Sequence, residues 1–227
     1  MDYLLNISPI DGRYFNTTRC LSDYLSEYAL IKYRVLIEIR WLIYLLDKHI
    51  LNDIIKDNEK KQLLNIYNNF NLEDAKKVKE IEKEIKHDVK AIEYFLRDKF
   101  DELKLSRLKP FIHITLTSED INNVSYNLMI KDTLDNVYLP KLKELLNILD
   151  NLSNDYKDTP MLAHTHGQAA TPTTVGKEIK VFSYRIKSIL NYLNNIKLKS
   201  KFSGAVGNYN AHIVAFPNID WINYKRL

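Results

Sequence analysis

No glycine lies between Arg13 and His166, and that gap constrains the fold more than any other feature of the chain. Average usage near 7% would place roughly sixteen glycines in a chain of this length. The 227 residues hold five: Gly12, Gly167, Gly176, Gly204 and Gly207. Tight hairpin turns usually require positive φ, which glycine supplies, so a long stretch without it is hard to build from β-hairpins. Long helices are the economical solution. The four late glycines fall in His164-Thr165-His166-Gly167-Gln168, Thr174-Val175-Gly176-Lys177-Glu178 and Ser203-Gly204-Ala205-Val206-Gly207-Asn208-Tyr209-Asn210-Ala211-His212, where the backbone is asked for something unusual.

Hydrophobic periodicity agrees with helices. Leu21, Tyr24, Leu25, Tyr28, Ile31, Val35, Ile39, Leu42 and Leu46 recur at three and four residues and predict one long helix. Leu72, Ala75, Val78, Ile81, Ile85, Val89, Ile92, Phe95 and Leu96 predict a second, and Ile54, Ile55, Leu63, Leu64, Ile66 and Tyr67 a shorter segment or pair between them. Lys109-Pro110 interrupts the pattern, because proline lacks an N–H and disfavours helix in the residue before it. A domain boundary is expected there, with 1–110 an N-terminal helical domain. Thr117 and Ser118 followed by Glu119 and Asp120 read as a helix start, capping hydroxyls before acids. That helix is expected to run to Leu152, kinked by Pro140. A last long helix is expected to open at Thr171-Pro172 and to reach about Leu198, with a polar loop before it. The fold class expected is all-α, with 111–227 the start of a helical bundle.

Composition narrows the function classes. With 45% hydrophobic and 27% charged residues the chain is ordinary globular material. The 33 basic and 29 acidic residues are interspersed, which is weak ground for nucleic-acid binding. One cysteine, Cys20, cannot form an internal disulfide, and no apolar run follows a basic start, so a reducing compartment is expected. No run approaches the length of a membrane-spanning helix.

Histidine is the natural proton carrier near neutral pH. His49, at a helix end, and His113, in Phe111-Ile112-His113-Ile114, read as structural. His164 and His166 would share a face of an extended segment, but no third ligand stands at zinc spacing, so no metal is expected. Near Gly167, Thr165 and Gln168, a proton carrier and a plain polar loop are equally good readings. Lys86-His87-Asp88-Val89-Lys90 falls inside the second predicted helix, where a charged run is usually a solvated face. Ser8-Pro9-Ile10-Asp11-Gly12-Arg13-Tyr14 is either an ordered turn or a turn presenting an arginine to phosphate or carboxylate.

Taken in order, Ser8 to Tyr14, His87-Asp88-Val89-Lys90-Ala91-Ile92-Glu93-Tyr94-Phe95, Thr117-Ser118-Glu119-Asp120-Ile121-Asn122-Asn123, Thr165-His166-Gly167-Gln168 and Gly204-Ala205-Val206-Gly207-Asn208-Tyr209 resemble the adenylosuccinate lyase family of the aspartase/fumarase superfamily. The resemblance covers essentially the whole chain. The Thr-Ser-Glu-Asp and Thr-His-Gly-Gln elements are shared across the superfamily; the others favour this family. The resemblance implies an all-helical, cytoplasmic homotetramer whose central bundle uses helices from four subunits and whose active sites each draw on three chains. It implies the β-elimination of fumarate from adenylosuccinate to give AMP, and from the succinyl-carboxamide ribotide of purine synthesis. The substrate is a small nucleotide, with no metal or organic cofactor and no nucleic-acid or membrane partner. By similarity His166 is the general acid and His87 its partner at the substrate. Arg13 and Tyr14 bind the phosphoribosyl end, Thr117 and Ser118 the succinyl carboxylates, and Lys86, Asp88, Thr165 and Gln168 complete the binding set. Lys86 stands where the family usually has asparagine. The family's Ser-Ser-x-Met-Pro-x-Lys-x-Asn-Pro loop, which carries the catalytic serine base, does not occur in these residues. The chain is therefore expected to be the N-terminal half of such a lyase, its bundle incomplete, and inactive by itself.

Overall fold

The computed structural model describes residues 3–48, 50–51 and 55–222. His49 and Ile54 lie outside them. After a 3-10 turn at Tyr3–Leu5 come the short helices α1 (Phe15–Thr18) and α2 (Ser22–Leu25). The helices α3 (Glu27–Asp47), α4 (Asp57–Asn68), α5 (Leu72–Ile85) and α6 (Asp88–Glu102) follow, then a 3-10 segment at Ser106–Phe111. Next are α7 (Ser118–Thr133), a π-helical turn at Leu134–Tyr138, α8 (Leu139–Asp155), strands β1 (Pro160–Thr165) and β2 (Gln168–Thr174), α9 (Val175–Asn195) and α10 (Asn210–Ala215). The expected helical class holds, with one antiparallel two-stranded sheet added. The chain divides into two compact units, Met1–Asp132 with Lys199–Leu227, and Thr133–Leu198.

The first unit is built around α3. A single stripe was expected on this helix; instead it is buried nearly all round, Tyr33, Leu36, Ile37, Trp41 and Leu45 joining Ile31, Val35, Ile39, Leu42 and Leu46. A helix apolar on every side belongs in the middle of a layer arrangement. Around it pack Leu63 of α4, Ala75 and Val78 of α5, Ala91, Ile92, Phe95, Leu96 and Phe100 of α6, and Trp221. Ile121 of α7 meets Ile37 and Val89, and Met129 meets Ala29, Tyr33 and Leu36. The helix begins at Glu27 rather than Leu21, because the Ser26 hydroxyl accepts a hydrogen bond from the Ala29 N–H and caps a new start.

The second predicted helix is two helices. Lys86 turns into the left-handed region at φ 57 and ends α5, and His87 caps α6. The apolar period survives the break, so the stripe reads as continuous although the backbone is not.

In the second unit α8 and α9 run antiparallel, Asp150 lying beside Ser183 and Lys187 while Ser153 lies beside Gly176. Gly176 is required there: a Cβ would sit 2.3 Å from the Ser153 carbonyl oxygen. The expected helix start at Thr171-Pro172 is displaced. Pro172 lies in β2 opposite Leu162, tolerable because both strands of a two-stranded sheet are edges, and α9 starts where the Thr174 hydroxyl accepts from the Lys177 N–H. Pro140 sits in the first turn of α8, and the π turn precedes it, the Leu139 N–H reaching back to the Leu134 carbonyl. A helix that must absorb a missing donor does so by such a local change of ladder.

Candidate active site

In the first unit the residues singled out from sequence stand at helix starts. His87 occupies the N-cap of α6, its Nδ1 accepting the Lys90 N–H at 3.1 Å. An imidazole that accepts at Nδ1 keeps its neutral-form proton on Nε2, so the exposed edge of His87 is a donor. Asp88 follows, with Oδ1 3.8 Å from His87 Nδ1 and Oδ2 2.7 Å from Arg34 Nη2. Burial pushes the Asp88 carboxyl up, and the Arg34 guanidinium with the local backbone N–H groups outweighs it, leaving it below the usual carboxylate range. Lys86 is exposed beside them.

Thr117 and Ser118 open α7. Among the described residues neither hydroxyl has a hydrogen-bond partner, and both side chains are half-buried, so two uncommitted hydroxyls stand at the positive end of a sixteen-residue helix. The acid that follows is already spent. Asp120 is fully buried and accepts from the Thr117, Ser203 and Gly204 N–H groups and from Lys201 Nζ at 2.8 Å. Asn123 adds a two-way pair with the Lys201 backbone. The late glycine segment, turning through Gly204 at φ 82, Gly207 at φ 78 and Tyr209 at φ 56, is thereby tied to the start of α7.

Three side chains of α3 reach these loops from below. Arg34 donates to Asp88 and, through Nε, to Asn122 Oδ1 at 2.9 Å. Glu38 is buried, with Oε1 2.6 Å from His113 Nδ1, and Trp41 Nε1 donates to the Ile114 carbonyl. Positions 34, 38 and 41 are four and three apart, so they share one face of the helix. Burial raises the Glu38 carboxyl; burial opposes the charge on His113, but the bond to Glu38 outweighs it and raises the imidazole. The two side chains thus form a close pair, the carboxylate fully buried and the imidazole partly so.

Arg13 and Tyr14 are exposed beside one another, the guanidinium carbon 5.5 Å from the ring centroid. Among the described residues no hydrogen bond or ion pair joins their side chains to the two helix starts.

In the second unit Thr165 and Gln168 are the paired strand ends that flank His166 and Gly167, and the latter form the turn. Both have positive φ, 50 and 74, as a two-residue hairpin turn of this hand requires. His166 therefore sits at a hairpin tip, its ring exposed. His164 lies within β1 and His166 in the turn, so the expected shared strand face does not form. Among the described residues no group of three His, Cys, Asp or Glu side chains is placed to hold a metal ion.

The sequence reading passed over Arg34, Glu38 and Asn122. The signal was present: Arg34 and Glu38 are four apart amid Tyr33, Val35, Leu36, Ile37 and Ile39, which places charge in an apolar run where only a specific partner can satisfy it.

These features place the chain in a class. A family model described as lyase matches residues 26–223, and the chain belongs to that family. Its sequence is similar to adenylosuccinate lyases. It is 48% identical over 225 residues to that of Buchnera aphidicola subsp. Schizaphis graminum, covering 97% of this chain and 49% of the relative. It is 47% identical over 232 residues to that of Dictyostelium discoideum, covering 99% and 50%. The chain thus spans about half the length of the curated relatives it matches, their N-terminal half. The fold is shared with the crystal structure of 3-carboxy-cis,cis-muconate lactonizing enzyme from Pseudomonas putida, with TM-score 0.70 and 16% identity, over 88% of this chain and 44% of that one.

Proposed function

We propose that the chain works as the N-terminal half of an adenylosuccinate lyase, releasing fumarate from adenylosuccinate to leave AMP, and from the succinyl-carboxamide ribotide to leave its carboxamide. The observation that carries the reading is the pair of helix starts, His87 with an outward N–H donor and Thr117-Ser118 with two uncommitted hydroxyls, on a chain about half identical to enzymes of that name. Such a site is made for anions. Phosphate suits His87, Lys86, Arg13 and Tyr14; the succinyl carboxylates suit Thr117 and Ser118 at the positive end of α7.

The chemistry asks for a base that removes the proton beside a carboxylate, donors that hold the resulting charge, and an acid that protonates the departing nitrogen. His166 is assigned the acid and His87 its partner, with Thr165 and Gln168 flanking His166 and Asp88 steadying His87. The base belongs to the serine loop known from the family, which these residues do not include, and no metal or organic cofactor enters the scheme. The same proposal covers a helical domain at 1–110 continuing into a central bundle at 111–227, a cytoplasmic homotetramer, and active sites drawn from three subunits. It also covers the inactivity of the 227 residues alone. The test is fumarate release from adenylosuccinate. The full-length protein is expected to release it and the purified 227-residue chain is not; release by the short chain, free of host enzyme, refutes the division of labour.

A further inference from the structure

Arg34 is a buried cation whose two contacts each end at a different helix start. Its Nη2 holds Asp88 Oδ2 at 2.7 Å, one residue after the His87 cap of α6, and its Nε holds Asn122 Oδ1 at 2.9 Å, four residues after Ser118 at the start of α7. The arginine side chain is 6% exposed while that of Asp88 is 47% exposed, so the charge is brought up from the interior to the underside of a partly open surface. Burying a guanidinium costs several kcal/mol before its partners repay it, and an apolar residue would pack this position of α3 without that cost. The planar fork, with donors in fixed directions, suits the holding of two acceptors at a set angle, which the single ammonium of lysine does not reproduce. The neighbouring face residues behave alike: Glu38 holds His113 and Trp41 holds Ile114, both in the loop that leads into Thr117.

We infer that Arg34 is a positioning residue for the lyase site, fixing the distance between the anion-binding start of α6 and that of α7 by clamping Asp88 and Asn122. The inference rests on the function proposed above and adds to it a residue that touches no substrate. Two anionic ends of one substrate, a phosphate and a succinyl group, are held at a spacing that the clamp sets. Its loss weakens capture of a substrate that must bridge both starts and leaves each start locally intact, because the His87 cap and the Asp120 ties do not pass through Arg34.

The test uses the full-length enzyme and steady-state kinetics with adenylosuccinate. Arg34→Gln is expected to raise KM at least tenfold, with a smaller change in kcat. Arg34→Lys, which keeps charge and bulk and guards against a misfolded glutamine variant, is expected to recover only part of that rise. Asn122→Ala with Arg34→Gln is expected to raise KM no further than the larger of the two single effects, since both break one clamp. A purely structural role lowers the amount of active enzyme and hence kcat, leaving KM where it was. Unchanged KM in both Arg34 variants therefore overturns the inference alone. Absence of fumarate release by the unsubstituted enzyme overturns the lyase reading and this inference with it.

Discussion

Lys86 holds a left-handed backbone, φ 57, at the end of α5, a conformation that glycine and asparagine adopt at little cost and lysine does not. Its side chain makes no ion pair among the described residues, so no packing gain offsets that cost. Lys86→Asn is accordingly expected to stabilise the chain by up to about 1 kcal/mol, measured by urea unfolding. A loss of stability would show that the lysine side chain has a structural role after all. His212 poses the opposite case. It is fully buried among Trp41, Tyr209 and Trp221, and neither ring nitrogen has a hydrogen-bond partner. Burial lowers its pKa, opposed by the charge of Asp120 and helped by Lys201. Between its depressed folded value and the ordinary value of about 6.5, the unfolded chain takes up a proton that the folded chain refuses. The stability contributed by a neutral His212 is thus complete above about 6.5 and falls as pH falls through that window. The Tm difference between His212→Phe and the natural chain is expected to shift in favour of the variant as pH drops from about 7 to about 5. A difference that does not move with pH contradicts the assignment.

At the scale of elements, the α8–α9 pair depends on a single missing side chain. Ser153 donates to the Gly176 carbonyl, and Asp150 gathers Ser183, Lys180 and Lys187 from α9, holding its carboxyl well below the usual range. Gly176→Ala forces a Cβ against the Ser153 carbonyl and the Lys157 backbone, and is expected to cost about 1–3 kcal/mol in a denaturant titration. An unshifted midpoint would mean that the helices separate freely. The long helices were legible from periodicity because a stripe at three and four is a direct consequence of burying one face. One break was not legible for the same reason: the stripe through Val78, Ile85, Val89 and Ile92 continues across the turn at Lys86 and His87, so only the capping geometry of His87 marks it. From sequence the hairpin reads as a polar loop running into a helix at Thr171-Pro172, because β1 and β2 are largely exposed, and an exposed strand has no apolar alternation to show. Of the site, the helix start at Thr117-Ser118 and the turn glycine at Gly167 followed from local chemistry. The Arg34 clamp did not, since its partners lie 54 and 88 residues along the chain.

At the scale of the whole molecule, the second unit exposes Leu145, Ile148 and Leu152 on α8 and Phe182, Tyr184, Ile189 and Tyr192 on α9. Exposed apolar side chains in such number on two paired helices mark an association face. Concentration-dependent self-association is expected by light scattering, and a monodisperse monomer across the concentration range would count against it. On the function proposed above, this chain supplies the proton donor and much of the anion-binding surface of an adenylosuccinate lyase. The most direct test of that claim is the rate of fumarate release from adenylosuccinate by the full-length enzyme with His166→Ala. Loss of a general acid is expected to lower kcat by roughly 10²–10⁴-fold while the protein stays folded and binds AMP. Turnover close to that of the unsubstituted enzyme would contradict the account.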